Sequence, residues 1–267
     1  MIKPGEIQQK ARKAGVRDQQ IEKDYALSWI LKGISAHEHL SKTLVFKGGT
    51  LLKKAYFEDY RFSEDLDFTL LDNDLTNKLI FGWFKETFEY IKEEANIPLT
   101  ILDDNEHEDG GINFYIGYTG PLGGLASNKK VKVDISRSEN LEFDPVERAT
   151  FKTYSDLDSY MLLCYPLEEI LVEKMRSTMQ RMQARDFYDL WYLLEVQKMD
   201  VGFYVSEFSR KCESKNLKSS EFLNKLAERL LQYKGRWNSS LSEQINDLPS
   251  FEQAERETLR RLKKITF

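Results

Sequence analysis

The sequence has few cysteines and histidines, and this shortage excludes several kinds of protein. The 267 residues include two cysteines, Cys164 and Cys212, which lack metal-ligand spacing and are too few for a disulfide framework. His37 and His39 form a close pair, but no cysteine or further histidine accompanies them to complete a zinc site. We therefore expect reduced, unreactive thiols and no zinc centre.

The sequence also lacks long hydrophobic runs and an excess of positive charge. No run approaches the length of a membrane span, and the first residues lack the apolar segment of a signal peptide. Charged residues make up 31% of the chain and the net charge is −5, so no overall basic field indicates nucleic-acid binding. We expect a cytoplasmic protein without membrane contact, in which any RNA binding requires a local basic patch. The length allows one or two domains with a substantial core.

What the sequence does have is an ordered set of signals between residues 44 and 71. An apolar run meets the pair Gly48 and Gly49, a short helical segment follows, and a second apolar run begins with Asp65 and Asp67. This order predicts a strand, a tight turn, a short helix and a second strand. Each half alone has an ordinary explanation, because double glycines often form plain turns and Asp-x-Asp is frequent on solvated strand faces. Joined on adjacent elements, the two halves favour a functional site.

The chemistry of these residues suits a metal-bound triphosphate. Side chains two residues apart in a strand point to the same face, with Cα atoms about 7 Å apart. Two carboxylates about 5 Å apart repel each other by about 3 kcal/mol at an effective dielectric constant of about 20, and a hard divalent cation such as Mg²⁺ or Mn²⁺ offsets that repulsion. Gly48 and Gly49 let the backbone approach a ligand, and the helix that follows directs its N–H groups at phosphate oxygens.

Two motifs follow each other here, Lys47-Gly48-Gly49-Thr50-x-Leu52 and Arg61-x-Ser63-x-Asp65-x-Asp67. In this order they resemble the AbiEii/AbiGii-type toxins, which are nucleotidyltransferase-like proteins of type IV toxin–antitoxin and phage-abortive systems. That family lies in the polymerase-β-like nucleotidyltransferase superfamily. The resemblance implies an α+β fold, in which a polymerase-β-like core of a small mixed sheet with flanking helices precedes a C-terminal helical domain.

Further segments extend the resemblance over residues 20–195. Glu22-Lys23-Asp24 resembles an element upstream of the Gly-Gly turn and would face Lys23 to the nucleotide cleft, although an ordinary amphipathic helix also explains it. Asp134, on the alternating segment Lys130–Ser136, matches a third carboxylate by order and context. Lys174 and the segment Arg185-Asp186-x2-Asp189 match residues that complete the nucleotide site in the family. The alternative for those acids is a helix-surface pair of Arg185 with Asp189, which contributes only about 0.3 kcal/mol.

Periodicity predicts the remaining elements and the domain division. Helices are expected at 5–14, 18–35, 166–181, 217–231 and 251–262. A further helix should run from a cap at Asp72-Asn73-Asp74 to about residue 95, and another should begin near residue 185. Strands are expected at 99–102, 112–118 and 130–136. The loop-like stretch 139–159 is the expected junction between an N-terminal nucleotidyltransferase-like domain, 1–150, and a helical domain, 151–267.

The resemblance implies a metal-dependent nucleotidyltransferase that inhibits growth and is opposed by an antitoxin from a neighbouring gene. The residues expected to act in catalysis are Ser63, Asp65, Asp67, Lys174 and Asp186. Those expected to bind the nucleotide are Lys47, Gly48, Gly49, Thr50, Arg61, Lys174 and Asp189, and those expected to bind the metal are Asp65, Asp67 and Asp134. The substrate is an NTP, and the leading acceptor is the 3′ end of tRNA. The basic stretch 256–264 and a connection at 234–236 are the expected RNA contacts.

Two other interpretations stay open. One is a phosphotransferase that moves a phosphoryl group to a protein or a small molecule, with Ser63 itself as one target. The other is a nucleotide-binding or partner-binding module without turnover. The intact Gly48-Gly49 pair and the presence of both Asp65 and Asp67 argue against a decayed site.

Overall fold

The computed structural model describes residues 1–106, 110–124, 129–263 and 265–266. The chain forms two compact units, the first from Met1–Glu139 and Pro145–Cys164, the second from Asn140–Asp144 and Tyr165–Phe267. It therefore passes into the second unit, returns to the first and then leaves it again. The predicted domain division at residue 150 stays a prediction, and we propose the ends of these units as the domain boundaries.

The first unit is built on a mixed sheet of seven strands within the described residues. The strands are β1 Leu44–Lys47, β2 Asp65–Leu70, β3 Leu99–Glu106, β4 Ile112–Tyr118, β5 Lys130–Ser136, β6 Val146–Ala149 and β7 Met161–Cys164. Their order across the sheet is β3-β4-β5-β2-β1-β7-β6, with β2 parallel to β5 and β1 parallel to β7. The mixed α+β architecture is as predicted, and the Asp-x-Asp strand is central. The stretch 139–159 is not a plain loop, because it contains β6, whose four residues are mostly exposed and carry no apolar pattern.

The central strands have one polar and one apolar face. Lys47 lies opposite Asp67, and Asp67 lies opposite Asp134, so these side chains share the polar face. Alternate residues of the same strands and of β4 are apolar and fully buried: Phe46, Leu66, Phe68, Phe114, Val131, Val133 and Ile135. Burying each large apolar side chain contributes about 1.5–3 kcal/mol, and a slip of one residue would expose the whole set. The apolar face therefore fixes the register that aligns the polar one.

Helices flank this sheet. Among the described residues of the first unit they are α1 Pro4–Ala14, α2 Asp18–Ala36, α3 Leu40–Thr43, α4 Gly48–Leu51 and α5 Asn77–Ala95. The α4 helix continues into a π-helical turn, Leu52–Tyr56, before the chain reaches β2. The α2 helix is enclosed on most sides, and its Tyr25, Leu27 and Ile30 are fully buried.

The predicted cap of α5 is wrong. Thr76 caps the helix, because its hydroxyl oxygen accepts the N–H of the residue three positions later at 3.3 Å. In the predicted cap Asp72-Asn73-Asp74, the first carboxylate instead accepts the N–H of the third residue at 3.0 Å and closes a turn. Aspartate and asparagine favour both helix caps and such turns, so residue type alone does not distinguish them. Beyond the cap, Phe84 of α5 packs edge-on against Phe114 of the sheet, with ring centroids 5.0 Å apart.

The second unit is helical, as expected. Its helices among the described residues are α6 Leu167–Gln180, α7 Ala184–Trp191, α8 Val205–Glu213, α9 Phe222–Leu241 and α10 Phe251–Leu262. Phe187 of α7 stacks on Tyr233 of α9 with 5.2 Å between ring centroids, and Trp237 and Phe251 join the cluster. The connection predicted at 234–236 therefore lies inside α9, where Trp237 is 2% exposed.

Glu169 holds residues 140–144 in the second unit. Its Oε2 accepts the backbone N–H groups of Glu142 at 2.8 Å and Phe143 at 3.0 Å, and its Oε1 pairs with Lys211 Nζ at 2.6 Å. Burial raises the pKa of Glu169, although Lys211 acts to lower it. Both charged side chains are fully buried, so removing either one would leave an uncompensated charge in the interior.

None of the helices within the described ranges combines the length and the hydropathy that a bilayer-spanning segment needs.

Candidate functional site

A tight turn after β1 brings the backbone against side chains of the next strand. Gly48 has a φ angle of +81°, and a Cβ atom on it would lie 2.5 Å from Asp67 Oδ2. A Cβ atom on Gly49 would lie 2.5 Å from Arg61 Nη2 and 3.3 Å from Ser63 Oγ. Glycine alone fits both positions without displacing these groups. The turn therefore contacts three of the side chains that the sequence predicted for the site.

The three predicted metal-binding aspartates lie on one face of two adjacent strands. Asp65 and Asp67 alternate with buried residues of β2, and Asp67 pairs in register with Asp134 of β5. All three are half-buried, and their hard carboxylate oxygens suit Mg²⁺ or Mn²⁺. As the side chains stand, no three Asp, Glu, His or Cys side chains in the described part of the chain are grouped closely enough to hold a metal ion.

Two lysines stand beside these carboxylates. Lys132 lies in register with Asp65, and its Nζ is 3.2 Å from Asp134 Oδ2. Burial has the strongest effect and acts to lower the pKa of Lys132, but the three aspartates together outweigh it and raise that pKa. Lys47, which is 6% exposed, donates from Nζ to Ser136 Oγ at 3.1 Å. The polar face thus already accommodates positive charge next to its acids.

Thr50, Arg61 and Ser63 are buried polar residues around the turn. Thr50 donates its hydroxyl proton to the backbone oxygen of Asp65, which joins α4 to the start of β2. Arg61 is 2% exposed, and its Nη1 donates to the Phe62 carbonyl at 3.2 Å. Ser63 is 7% exposed. The predicted residues that the first unit brings together are Lys47, Gly48, Gly49, Thr50, Arg61, Ser63, Asp65, Asp67 and Asp134.

Glu22 and Asp24 of α2 support segments next to the site, and the sequence did not reveal their partners. Glu22 is fully buried; its Oε1 accepts the N–H of Leu122 at 2.7 Å, and its Oε2 lies 2.6 Å from Lys129 Nζ. Asp24 pairs with Lys54 at 2.7 Å, and both side chains are at most 5% exposed. These contacts hold Leu122 and Lys129, which follow β4 and precede β5, and the π-helical turn that follows the glycines.

Lys23, between those two acids, pairs with Glu64 at 2.9 Å. Glu64 directly precedes Asp65, so the contact fastens α2 to the start of the Asp-x-Asp strand. The pair joins residues 41 positions apart. Strand alternation predicts that Ser63 and Asp65 share the functional face, and it gives no role to Glu64 between them. No local pattern in the sequence could have found it. The expectation that Lys23 faces the nucleotide stays a prediction.

In the second unit, Lys174 bridges the two predicted aspartates of α7. Its Nζ lies 2.8 Å from Asp186 Oδ1 and 2.7 Å from Asp189 Oδ2. Arg181 also contacts Asp186, with Nε 2.6 Å from Oδ2. Burial has the strongest effect and acts to raise the pKa of Asp186, but the two cations outweigh it and lower that pKa. Both carboxylates are at most 4% exposed, whereas a helix-surface pair would be solvated.

The sequence matches one family model over most of its length. Residues 29–258 match the family described as "Nucleotidyl transferase AbiEii toxin, Type IV TA system". No curated protein sequence matches the chain.

Solved structures share the fold at low sequence identity. The crystal structure of JHP933 from Helicobacter pylori superposes with a TM-score of 0.57 at 17% identity, covering 93% of this chain and 92% of that one. A putative nucleotidyltransferase from H. pylori gives 0.57 at 17% identity, covering 93% and 95%. MenT4, a nucleotidyltransferase toxin from Mycobacterium tuberculosis H37Rv, gives 0.53 at 16% identity over 100% of both chains.

Proposed function

This chain belongs to the AbiEii family of type IV toxin–antitoxin nucleotidyltransferases, and on that premise we propose that it transfers a nucleotidyl group from an NTP to the 3′ end of a tRNA. It is a nucleotidyltransferase of the toxin class. The metal requirement, the tRNA acceptor, a neighbouring-gene antitoxin and a cytoplasmic location are parts of the proposal.

The donor set on the polar face supports a divalent cation. Asp65 and Asp67 present carboxylates on the same face, and Asp134 lies opposite Asp67. These residues would hold Mg²⁺ or Mn²⁺, which would supply charge stabilisation for the attacking and leaving oxygens. Lys132 already places an ammonium group on Asp134, so the acids tolerate and favour positive charge.

The Gly-Gly turn supports triphosphate binding. At Gly48 and Gly49 the backbone approaches the site without an intervening side chain, so its N–H groups can donate to phosphate oxygens. The guanidinium of Arg61 beside Gly49 would offset the negative charge that develops on the departing pyrophosphate, and Ser63 would add a hydroxyl donor.

For Lys174, Asp186 and Asp189 we propose nucleotide binding on the family resemblance alone. Their burial and mutual ion pairs support a structural role as well. A variant of Lys174 whose stability is measured beside its activity separates the two roles.

One observation carries the proposal most: Asp67 lies between Gly48 of the turn and Asp134 of the neighbouring parallel strand. The test is incubation with each labelled NTP and total cellular RNA, with Mg²⁺, with Mn²⁺ or with a chelator. We expect label in RNA with a metal and none with the chelator or with Asp67→Asn. The mass added to the product distinguishes the alternatives, because phosphotransfer, including transfer to Ser63, adds a phosphoryl group instead of a nucleotidyl group. Labelling that Asp67→Asn retains would contradict the proposal.

A further inference from the structure

The polar face of the sheet extends beyond the aspartates, away from the Gly-Gly turn. Asp65 of β2 lies opposite Lys132 of β5, and Lys132 lies opposite Tyr115 of β4. These residues therefore form a row across three strands on one face. With strands about 4.8 Å apart, Tyr115 is about 10 Å from Asp65 along the row.

Lys130 and Tyr115 form a cation–aromatic pair at the end of this row. Lys130 Nζ lies 4.1 Å from the centroid of the Tyr115 ring. Lys130 is exposed and Tyr115 is half-buried, and the strand residue opposite Lys130 is Gly117, which has no side chain. Within the described residues Lys130 forms no ion pair, so its charge is not neutralised by a carboxylate.

The basic residues near the C-terminus are engaged differently. Arg260 and Arg261 both pair with Glu195, at 2.9 and 2.8 Å, and Lys234 pairs with Glu252 at 2.7 Å. In the predicted RNA contact at 256–264, Arg260 and Arg261 thus share one carboxylate, which offsets part of their charge, and Lys264 lies outside the described residues. This weakens the expectation that the C-terminal helix holds the acceptor.

We propose that the pair of Tyr115 and Lys130 binds the single-stranded 3′ end of the RNA acceptor, with a base stacked on the tyrosine ring and a phosphate bound by the lysine. An aromatic ring beside a lysine is the combination that single-strand binding uses, since every base has a stacking face and every nucleotide a phosphate. An exposed lysine–ring contact is weak, so Lys130 exchanges the ring for a phosphate when a base arrives. This inference rests on the proposed function, since it assigns the acceptor of that same reaction.

The order of residues across the sheet supports an acceptor rather than the NTP at this pair. The Gly-Gly turn leads from β1 on one side of β2, whereas Tyr115 and Lys130 lie on β4 and β5 on the other side. Asp65 and Asp67 stand between the two. A transferase needs its two substrates to approach the reacting atoms from different sides, and this arrangement provides both approaches.

The test measures binding of a fluorescent single-stranded oligoribonucleotide and of an NTP to the full chain. The variants are Tyr115→Leu, Tyr115→Phe and Lys130→Ala, with Lys85→Ala as the matched control. Lys85 is an exposed lysine on α5, which packs on the opposite face of the sheet. Thermal melting of each variant confirms the fold.

Tyr115→Leu should weaken RNA binding about 5- to 150-fold, which is the loss expected for one base–aromatic stack, and Tyr115→Phe should restore it. Lys130→Ala should weaken binding and lower the slope of log Kd against log salt by about one. Lys85→Ala and NTP binding should be unchanged. If Tyr115→Leu does not fold, the slope of log Kd against log salt for Lys130→Ala decides whether this pair binds RNA.

Three outcomes overturn the inference. The wild-type protein binds no single-stranded RNA, or Tyr115→Leu and Lys130→Ala bind RNA as tightly as the control Lys85→Ala does. In the third outcome, these two variants lose NTP binding instead of RNA binding. The outcomes also separate this inference from the proposed function. If wild-type protein transfers no nucleotidyl group but the variants still lose RNA binding, the proposed reaction fails and the RNA site stands. If transfer proceeds and Tyr115→Leu transfers normally at limiting RNA, the site fails alone.

Discussion

Gly48 lies directly against the carboxylate of Asp67. A Cβ atom on Gly48 would stand 2.5 Å from Asp67 Oδ2, closer than real Cβ contacts come, and its φ of +81° is a conformation that side chains rarely adopt. The turn therefore has no room for a side chain at Gly48 while Asp67 keeps its present position.

Gly48→Ala should remove activity and lower stability. The methyl group would displace Asp67 from its place opposite Asp134, and the strained backbone should cost about 1–3 kcal/mol. Gly82→Ala is the matched control, because Gly82 lies within α5 with no atom near its would-be Cβ, and alanine there should raise stability by up to about 1 kcal/mol. Denaturant unfolding and nucleotidyl transfer check both. Wild-type transfer by Gly48→Ala would show that the close fit is unnecessary.

Asp65→Asn and Asp67→Asn should abolish transfer while leaving the fold intact. Under the proposed function these acids hold the metal, and losing one of them removes several kcal/mol of charge stabilisation, so the rate should fall by about a thousandfold. Each change removes repulsion from the other acids and attraction to Lys132, so stability should stay within about 1 kcal/mol of wild type. Melting curves and transfer assays are the measurements. A variant that unfolds would assign these acids a structural role.

Lys174→Met should destabilise the second unit strongly. The change leaves the buried carboxylates of Asp186 and Asp189 without a shared partner, which should cost about 3–5 kcal/mol. Adding Asp189→Asn to Lys174→Met should recover part of that loss, because it removes one of the two buried charges that Lys174 neutralises. Urea unfolding measures both. If Lys174→Met is as stable as wild type but inactive, the lysine acts on the nucleotide rather than on the fold.

Reversing the charge of Lys23 should impair transfer more than stability. Lys23→Glu sets two carboxylates against each other beside Asp65, yet a part-exposed pair contributes only up to about 1 kcal/mol to folding. The double variant Lys23→Glu with Glu64→Lys should restore transfer, since it restores the attraction. A double-mutant cycle of transfer rates and melting temperatures measures the coupling. Failure of the double variant to recover would mean that Lys23 acts on the substrate instead.

Glu195 should make the second unit sensitive to acid. Hydrogen bonds from Lys198 and Arg261, with Arg260, lower the pKa of Glu195 to about 2. A carboxyl group with a lowered pKa stabilises the fold above its unfolded pKa of about 4.3, and that contribution is lost as the pH falls towards 2. Glu195→Gln should therefore flatten the decline of stability between pH 5 and about 2. Unfolding measured over that range checks it, and parallel curves for the two proteins would contradict it.

Much of the polar face could be predicted from the sequence because the rules that place it are local. Alternation along a strand sets Asp65 and Asp67 on one face, and the same rule sets Lys132 and Asp134 together. The double glycine marks the close approach to Asp67. What alternation cannot give is the neighbour of each strand: the family resemblance grouped Asp134 with the other two acids, and the sheet register adds that it lies opposite Asp67.

The supporting contacts could not be predicted, since they join distant segments. Glu22 holds Leu122 across 100 residues, and Lys54 pairs with Asp24 from another helix. The strand β6 was missed because it is four residues long and mostly exposed, so its sequence shows no alternation of apolar and polar residues. At Asp72 and Thr76 the choice between turn and cap depends on where α5 packs, which composition does not record.

The parallel pairing of β2 with β5 also sets an order of events during synthesis. The strands are neighbours in space, but the whole of α5, β3 and β4 lies between them in the chain. Contacts between distant segments form slowly, because the intervening loop must first be ordered. A nascent chain that ends before β5 carries the glycines, Asp65 and Asp67, yet leaves the β5 side of β2 unpaired. The ribosome therefore synthesises the Gly-Gly turn and the Asp-x-Asp strand well before β5, which the assembled site requires.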